Sequence, residues 1–331
     1  MPVISTGTGA EVYADRLAEG LRARGHEVVV EKVPHRYQYA PWLAGLRAPK
    51  DADVTFANSW SAVAFSVGPP LVTVVHHVVH DPALNAQKSF AQRVFHSVFV
   101  RPMERAAIRR SRRVLAISQT TADAIRKWLS PAPIEVVLNG IDTDFFVPVE
   151  GATSTIGARP LKLLFVGKRS RRKGFDIVKK IVTGLGDRAE LTLIGDGEEP
   201  GMEVPGAVHL GRVDPEGLRS AYQNSDFLLF PSRLEGFGLV AAEAMACGLP
   251  VLCLADGAVE EVVAPPKGGL AAPLAQATTL GDMALEVAAD PGRYAQMCQS
   301  ARARAAEALG VARWVDGVEA VPQDAIDTPE G

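Results

Sequence analysis

At 331 residues, with 47% apolar and 22% charged residues and a net charge of −3, the chain has ordinary globular composition and exceeds the reach of one hydrophobic core. Wholesale disorder is excluded, and no apolar run approaches the ~18 residues a membrane-spanning helix needs. Cys247, Cys253 and Cys298 are scattered without a Cys-x-x-Cys pair, so neither a disulfide framework nor a structural zinc is expected. Met1 to Ala10 carries no basic or apolar leader pattern, and a cytoplasmic location is the expectation.

Short apolar strands alternate with helical patterns through both halves, the signature of parallel, doubly wound sheets. In the first half strands are expected near residues 3–5, 28–30, 54–56, 71–75, 114–117 and 134–137, with an early helix over 11–24 closed by Gly25. In the second half they fall near 162–166, 190–194, 208–210, 227–230 and 251–254. The small, polar, proline-bounded stretch 149–160 reads as a connection. This organises the chain as a domain over 1–150, a linker at 151–160, a second domain over 161–312 and a tail at 313–331. The expected fold class is α/β, two Rossmann-like domains facing a central cleft where the strand ends converge.

The densest chemistry follows the strand at 227–230. Pro231-Ser232-Arg233-Leu234-Glu235-Gly236-Phe237-Gly238 leads into a helical pattern over 239–247, which stops at Gly248 ahead of Pro250. A strand, a glycine turn and a helix start form an anion site, because the free backbone N–H groups and the helix dipole point at the ligand. Gly236 and Gly238 permit close approach of a phosphate to the amides from Phe237 to Leu239. Glu243 lies about 7–8 Å into the helix, within reach of vicinal ribose hydroxyls, and Glu235 lies on the side where a sugar would extend. Two glutamates at this separation are, by themselves, ordinary surface carboxylates. Their setting, continued by Glu243-Ala244-Met245-Ala246-Cys247-Gly248-Leu249-Pro250-Val251, decides for a site.

This segment resembles that of the retaining family 4 glycosyltransferases of the GT-B fold, the glycosyl transferases of group 1. Phe165-Val166-Gly167-Lys168, followed by Lys173-Gly174, resembles the family's basic element, and the resemblance implies that Lys168 and Lys173 hold the donor diphosphate. Lysine stands at 168 where the family usually has arginine, so it neutralises phosphate without a planar fork. Ile194-Gly195-Asp196-Gly197 resembles the glycine turn beside the nucleotide, and Asn139-Gly140-Ile141-Asp142 and Ser118 read as structural. Gly7-Thr8-Gly9-Ala10-Glu11 lacks the third glycine of a dinucleotide fingerprint; in the family this loop faces donor or acceptor, which makes Gly9 a donor-binding candidate. His76 and His77 end the strand at 71–75, where the family places a histidine against the transferred sugar.

The resemblance therefore implies Glu235, His76 and Lys173 as catalytic residues. It implies Gly9, His77, Lys168, Lys173, Gly195, Gly236, Phe237, Gly238, Leu239 and Glu243 as donor-binding residues. The partners are a nucleotide diphosphate sugar and a glycan, glycolipid or small-molecule acceptor, with no nucleic acid, cofactor or metal. A metal set of His76, His77, His80 and Asp81 is set aside, since the basic loop already supplies the charge. Front-face transfer with retention, the leaving phosphate taking the acceptor proton, follows from the family alone. Residues 1–150 carry 17 Lys/Arg against 14 Asp/Glu, and 151–331 carry 18 against 24. The basic excess gathers at Lys88, Arg93, Arg101, Arg105, Arg109, Arg110, Arg112 and Arg113, opposed by Glu104 and interleaved with Phe90, Val94, Phe95, Val98, Phe99 and Met103. Either this stretch meets an anionic membrane at the inner face, or its apolar residues pack inward and its arginines are solvated. Two other functions stay open: a sugar-nucleotide epimerase of the same fold, and a non-catalytic binding subunit.

Overall fold

The computed structural model describes residues 2–4, 9–34, 36–37, 41–45, 49, 51–64, 69–80, 88–149, 156–157 and 159–326. The chain divides into two compact units, one of residues 1–140 with 311–331 and one of residues 141–310. The division falls ahead of the stretch expected as a linker, of which 151–155 and 158 lie outside the described residues.

In the first unit β1 (Pro2–Ile4) pairs in parallel with β2 (Glu31–Val33), with α1 (Gly9–Ala23) linking them. Gly25, at φ +91°, ends α1 as its position predicts, with its N–H on the Arg22 carbonyl and that of His26 on Leu21. The second strand lies at 31–33 rather than 28–30, because Arg22 takes up the Val28 carbonyl at 2.6 Å while Glu31–Val33 register with β1. A four-stranded parallel sheet follows, in the order β3 (Thr55–Asn58), β4 (Leu71–Val75), β5 (Arg113–Ala116), β6 (Glu135–Val136). Between β4 and β5 run α2 (Phe90–Phe95), a π-helical turn (His96–Val100) and α3 (Arg101–Arg110). Ser118 caps α4 (Gln119–Trp128) by accepting the Thr121 N–H, a structural use of this serine.

The basic stretch departs from the inward-packed alternative read from sequence. Phe90, Val94, Val98 and Phe99 face solvent, whereas Arg101 and Arg105 donate to the Trp128 and Leu129 carbonyls at the end of α4. Cations there complement the helix dipole and satisfy terminal carbonyls. Glu104 is buried, accepting from Ser59 at 2.9 Å and paired with His80 at 2.6 Å. His80 is thus taken up by this buried network, and Asp81 lies outside the described residues.

Residues 311–326, mostly within the stretch expected as a tail, form a helix of the first unit; 327–331 lie outside the described residues. Trp314, Val315, Val318 and Val321 make one apolar stripe, all buried. Gly20 admits this helix against α1, since a Cβ there would stand 2.6 Å from Val315 Cγ2.

The second unit is a six-stranded parallel sheet built from β7 (Leu161–Val166), β8 (Ala189–Ile194), β9 (Val208–Gly211), β10 (Phe227–Phe230), β11 (Val251–Leu254) and β12 (Gly269–Ala272). The spatial order is β12-β11-β10-β7-β8-β9. Its helices are α5 (Phe175–Leu185), α6 (Pro215–Gln223), α7 (Leu239–Ala246), α8 (Ala258–Val263), α9 (Leu280–Ala288) and α10 (Pro291–Ala308). The strand order reverses between β7 and β10, which makes the carboxyl ends of these neighbours the crevice position of an open α/β sheet. Phe165 and Phe175 pack edge to face at 4.9 Å in the core beneath, fixing the start of α5 relative to β7.

Candidate functional site

The crevice is built from the turns after β7, β8 and β10, the first two opened by glycine. Gly167 follows β7 at φ +136° and Gly195 follows β8 at φ +113°; a Cβ on Gly195 would stand 3.0 Å from the Gly167 carbonyl oxygen. Gly197 lies beneath the Lys168 stem, whose methylenes would be 3.3–3.5 Å from a Cβ there. The loop after β7 is tied to this glycine turn by the Arg169 N–H on Gly197 and the Glu199 N–H on Arg169. Arg169 also pairs with Glu198 at 3.0 Å, so this member of the basic loop serves the turn.

The loops after β7 and β10 close on each other more tightly still. Gly174, the left-handed residue ahead of α5 at φ +72°, has the Pro231 carbonyl oxygen 1.9 Å from where a Cβ would lie. Only glycine lets the two backbones meet there. Arg233 donates its N–H to the Arg172 carbonyl, and its guanidinium forks onto Asp176 at 2.6 and 2.7 Å. Burial by itself raises the Asp176 carboxyl pKa, but the hydrogen bonds and charge of Arg233 outweigh it and hold the group below its ordinary value.

This clamp brings Lys173 and Glu235 together across 62 residues of sequence. Lys173 Nζ stands 2.5 Å from Glu235 Oε1, and the Ser232 hydroxyl donates to the same oxygen at 2.9 Å. The Lys173 ammonium also lies 5.5 Å from the centre of the Phe230 ring. Both charged side chains stay partly accessible, at 18% and 15%.

From Glu235 the chain enters α7 through Gly236, buried Phe237 and Gly238. Gly238, at φ +104°, precedes the helix and offers its first turn no side-chain cap. The amides at Leu239 and beyond thus begin a helix at the crevice with the positive end of its dipole outward. Gly248, at φ +76°, stops the helix as predicted. Glu243 sits within α7 at 6% exposure, among fully buried Ala241, Ala242, Ala244 and Met245, and accepts the Tyr222 hydroxyl at 3.3 Å.

The other predicted residues belong to the first unit. Gly9 begins α1 and His76 follows β4; Tyr13 of α1 packs edge-on to the His76 ring at 4.7 Å. Burial, then neighbouring His77, pushes the His76 imidazole down to about 4, which keeps it neutral. His77 beside it is exposed. Gly7 and Thr8 lie outside the described residues. Among the described residues no group of three or more His, Cys, Asp or Glu side chains could hold a metal ion, and no helix is long and apolar enough to cross a membrane.

Ser232, the Arg233–Asp176 fork and Tyr222 were not anticipated. Ser232 and Arg233 stand inside the recognised segment 231–238, and Asp176 lies two residues beyond Gly174, so their proximity to Glu235 and Lys173 was a usable signal. Tyr222 gave none, because its link to Glu243 exists only once α6 and α7 flank β10.

Residues 152–304 match the family described as Glycosyl transferases group 1, and residues 30–145 match Glycosyltransferase Family 4. The chain is 29% identical over 321 residues to D-inositol 3-phosphate glycosyltransferase 1 of Catenulispora acidiphila, covering 86% of this chain and 75% of that one. A related D-inositol 3-phosphate glycosyltransferase from Kribbella flavida is 32% identical over 196 residues, a match that covers 52% of this chain and 46% of the relative. Among solved structures, sucrose-phosphate synthase from Thermosynechococcus elongatus superposes with a TM-score of 0.78 at 20% identity, covering 97% of this chain and 94% of that one. Anabaena HepE, solved with UDP and glucose, gives 0.75 at 18% identity, covering 98% and 100%.

Proposed function

The chain belongs to the family 4 glycosyltransferases of group 1, enzymes of hexosyltransferase type, and from that premise we propose a retaining, metal-independent transfer from a nucleotide diphosphate sugar to a hydroxyl acceptor. The observation that carries this reading is the Lys173–Glu235 pair beside the uncapped start of α7, at the reversal between β7 and β10. The donor diphosphate lies against the first amides of α7 with Lys168 and Lys173 as its cations, and Glu243 takes the ribose hydroxyls. An incoming diphosphate competes with Glu235 for the Lys173 ammonium. Glu235, still held by Ser232, then accepts hydrogen bonds from the sugar. The difficult step is departure of the diphosphate from the anomeric carbon, and preorganised N–H and ammonium donors stabilise the charge that develops on it. Neutral His76 is suited to hydrogen bonding with an uncharged sugar. The acceptor is a glycan, glycolipid or small molecule.

The test is a panel of nucleotide sugars with EDTA present, read by nucleoside diphosphate release and by the anomeric configuration of the product in NMR. Turnover with retention is expected. Inversion, or activity restored only by added metal, overturns the reading, and isomerised donor without acceptor favours an epimerase.

A contact with anionic membrane is part of the proposal, favoured by solvent-facing Phe90, Val94, Val98 and Phe99 next to Arg93. Co-sedimentation with phosphatidylglycerol vesicles is expected to fall when Phe90 and Val98 become serine; binding unaffected by these changes removes the contact from the account.

A further inference from the structure

Glu243 is a carboxylate on a buried, alanine-rich helix. Its helix neighbours Ala241, Ala242, Ala244 and Met245 are fully buried and bring no side-chain donor. The last torsion of a glutamate is soft and nearly two-fold, so burial by itself does not set where the two oxygens point. Tyr222 holds one of them. It is 1% exposed, placed near the end of α6, with its hydroxyl 3.3 Å from Glu243 Oε2. The ring is wedged against Phe146 at 6.0 Å between centres, so the hydroxyl has little freedom to leave. Burial first, and the Glu243 charge next, push the phenol pKa well above its usual 10, so the hydroxyl is a donor at every working pH.

We propose that Tyr222 is a positioning residue of the donor site, whose hydroxyl holds one oxygen of Glu243 and thereby aims the carboxylate at the ribose. The inference rests on the assignment of Glu243 to the ribose. It adds a residue that touches no substrate and acts through another. A hydrogen bond to a charged group supports roughly a tenfold effect on affinity when it is removed. Because the ribose is held alike in ground and transition states, the loss belongs in binding and KM, with kcat little changed.

The experiment uses the full chain and the tightest binder among UDP, ADP and GDP, with its 2′,3′-dideoxy counterpart, titrated by calorimetry against wild type, Tyr222→Phe and Glu243→Ala. Tyr222→Phe is expected to weaken the ribonucleotide about tenfold and the dideoxynucleotide less than about twofold, with donor KM raised and kcat kept. A lowered melting temperature with unchanged ribonucleotide affinity makes Tyr222 merely structural and overturns the inference. An equal loss on both nucleotides overturns it as well. If Glu243→Ala weakens the ribonucleotide and Tyr222→Phe does not, the positioning role alone falls; if Glu243→Ala has no effect, the donor-site reading falls with it.

Discussion

Two basic stretches of this chain look alike as lists of residues and are used in different ways. Between residues 168 and 173 the loop after β7 carries Lys168, Arg169, Arg171, Arg172 and Lys173; between 88 and 113 the first unit carries eight cations. In the first unit Arg101 and Arg105, which follow the apolar segment, are spent on the fold, since they close the end of α4. In the second unit Arg169 and Arg172 likewise hold neighbouring loops, but they do so around Lys173, whose partner is an accessible carboxylate. A cation that satisfies the terminal carbonyls of a helix cannot be displaced by a ligand at small cost. One that shares a partly exposed carboxylate can exchange it for a phosphate. Charge alone marks both stretches; the partner separates the cations held by the fold from the one we propose to meet phosphate.

That distinction can be broken at its strongest point by Gly174→Ala. A Cβ forced onto the Pro231 carbonyl at φ +72° should separate the loops, lowering stability by about 3 kcal/mol or more in thermal melts and abolishing activity. A variant that melts and turns over as wild type would mean that the clamp does not hold the site. Next in size, Lys173→Ala should reduce kcat/KM about 100-fold in a steady-state assay, as expected for losing one donor to developing charge, with a small change in melting. A kcat/KM within about threefold of wild type would place Lys173 with the structural arginines. Smallest, Arg101→Ala with Arg105→Ala should cost about 1 kcal/mol per residue in stability and leave turnover of a soluble acceptor unchanged. A fall in turnover without loss of stability would reverse the comparison.

Much of this was legible in the sequence. Strands 71–75, 227–230 and 251–254 fall where apolar β-branched and aromatic runs place them, and Gly25 and Gly248 end their helices. β12 (Gly269–Ala272) was not legible, because Gly-Leu-Ala-Ala has little β-forming character. It exists because Gly269, at φ +153°, passes 2.0 Å from the Val251 carbonyl oxygen where a Cβ would lie, which only a fold can reveal. The helix over 311–326 was overlooked although its stripe of Trp314, Val315, Val318 and Val321 was present, with Gly317 and Pro322 masking it. In the site, Lys173 and Glu235 were each visible in their motifs, but their pairing was not. It depends on β7 and β10 being neighbours, a fact of sheet order rather than of local sequence.

The proposed donor site turns on Glu243 as the buried carboxylate that receives the ribose. Calorimetric titration of the tightest-binding nucleoside diphosphate into wild type and Glu243→Ala tests it most directly. An affinity loss of about 100-fold or more is expected in a variant that still folds, and unchanged affinity would contradict the ribose role of Glu243.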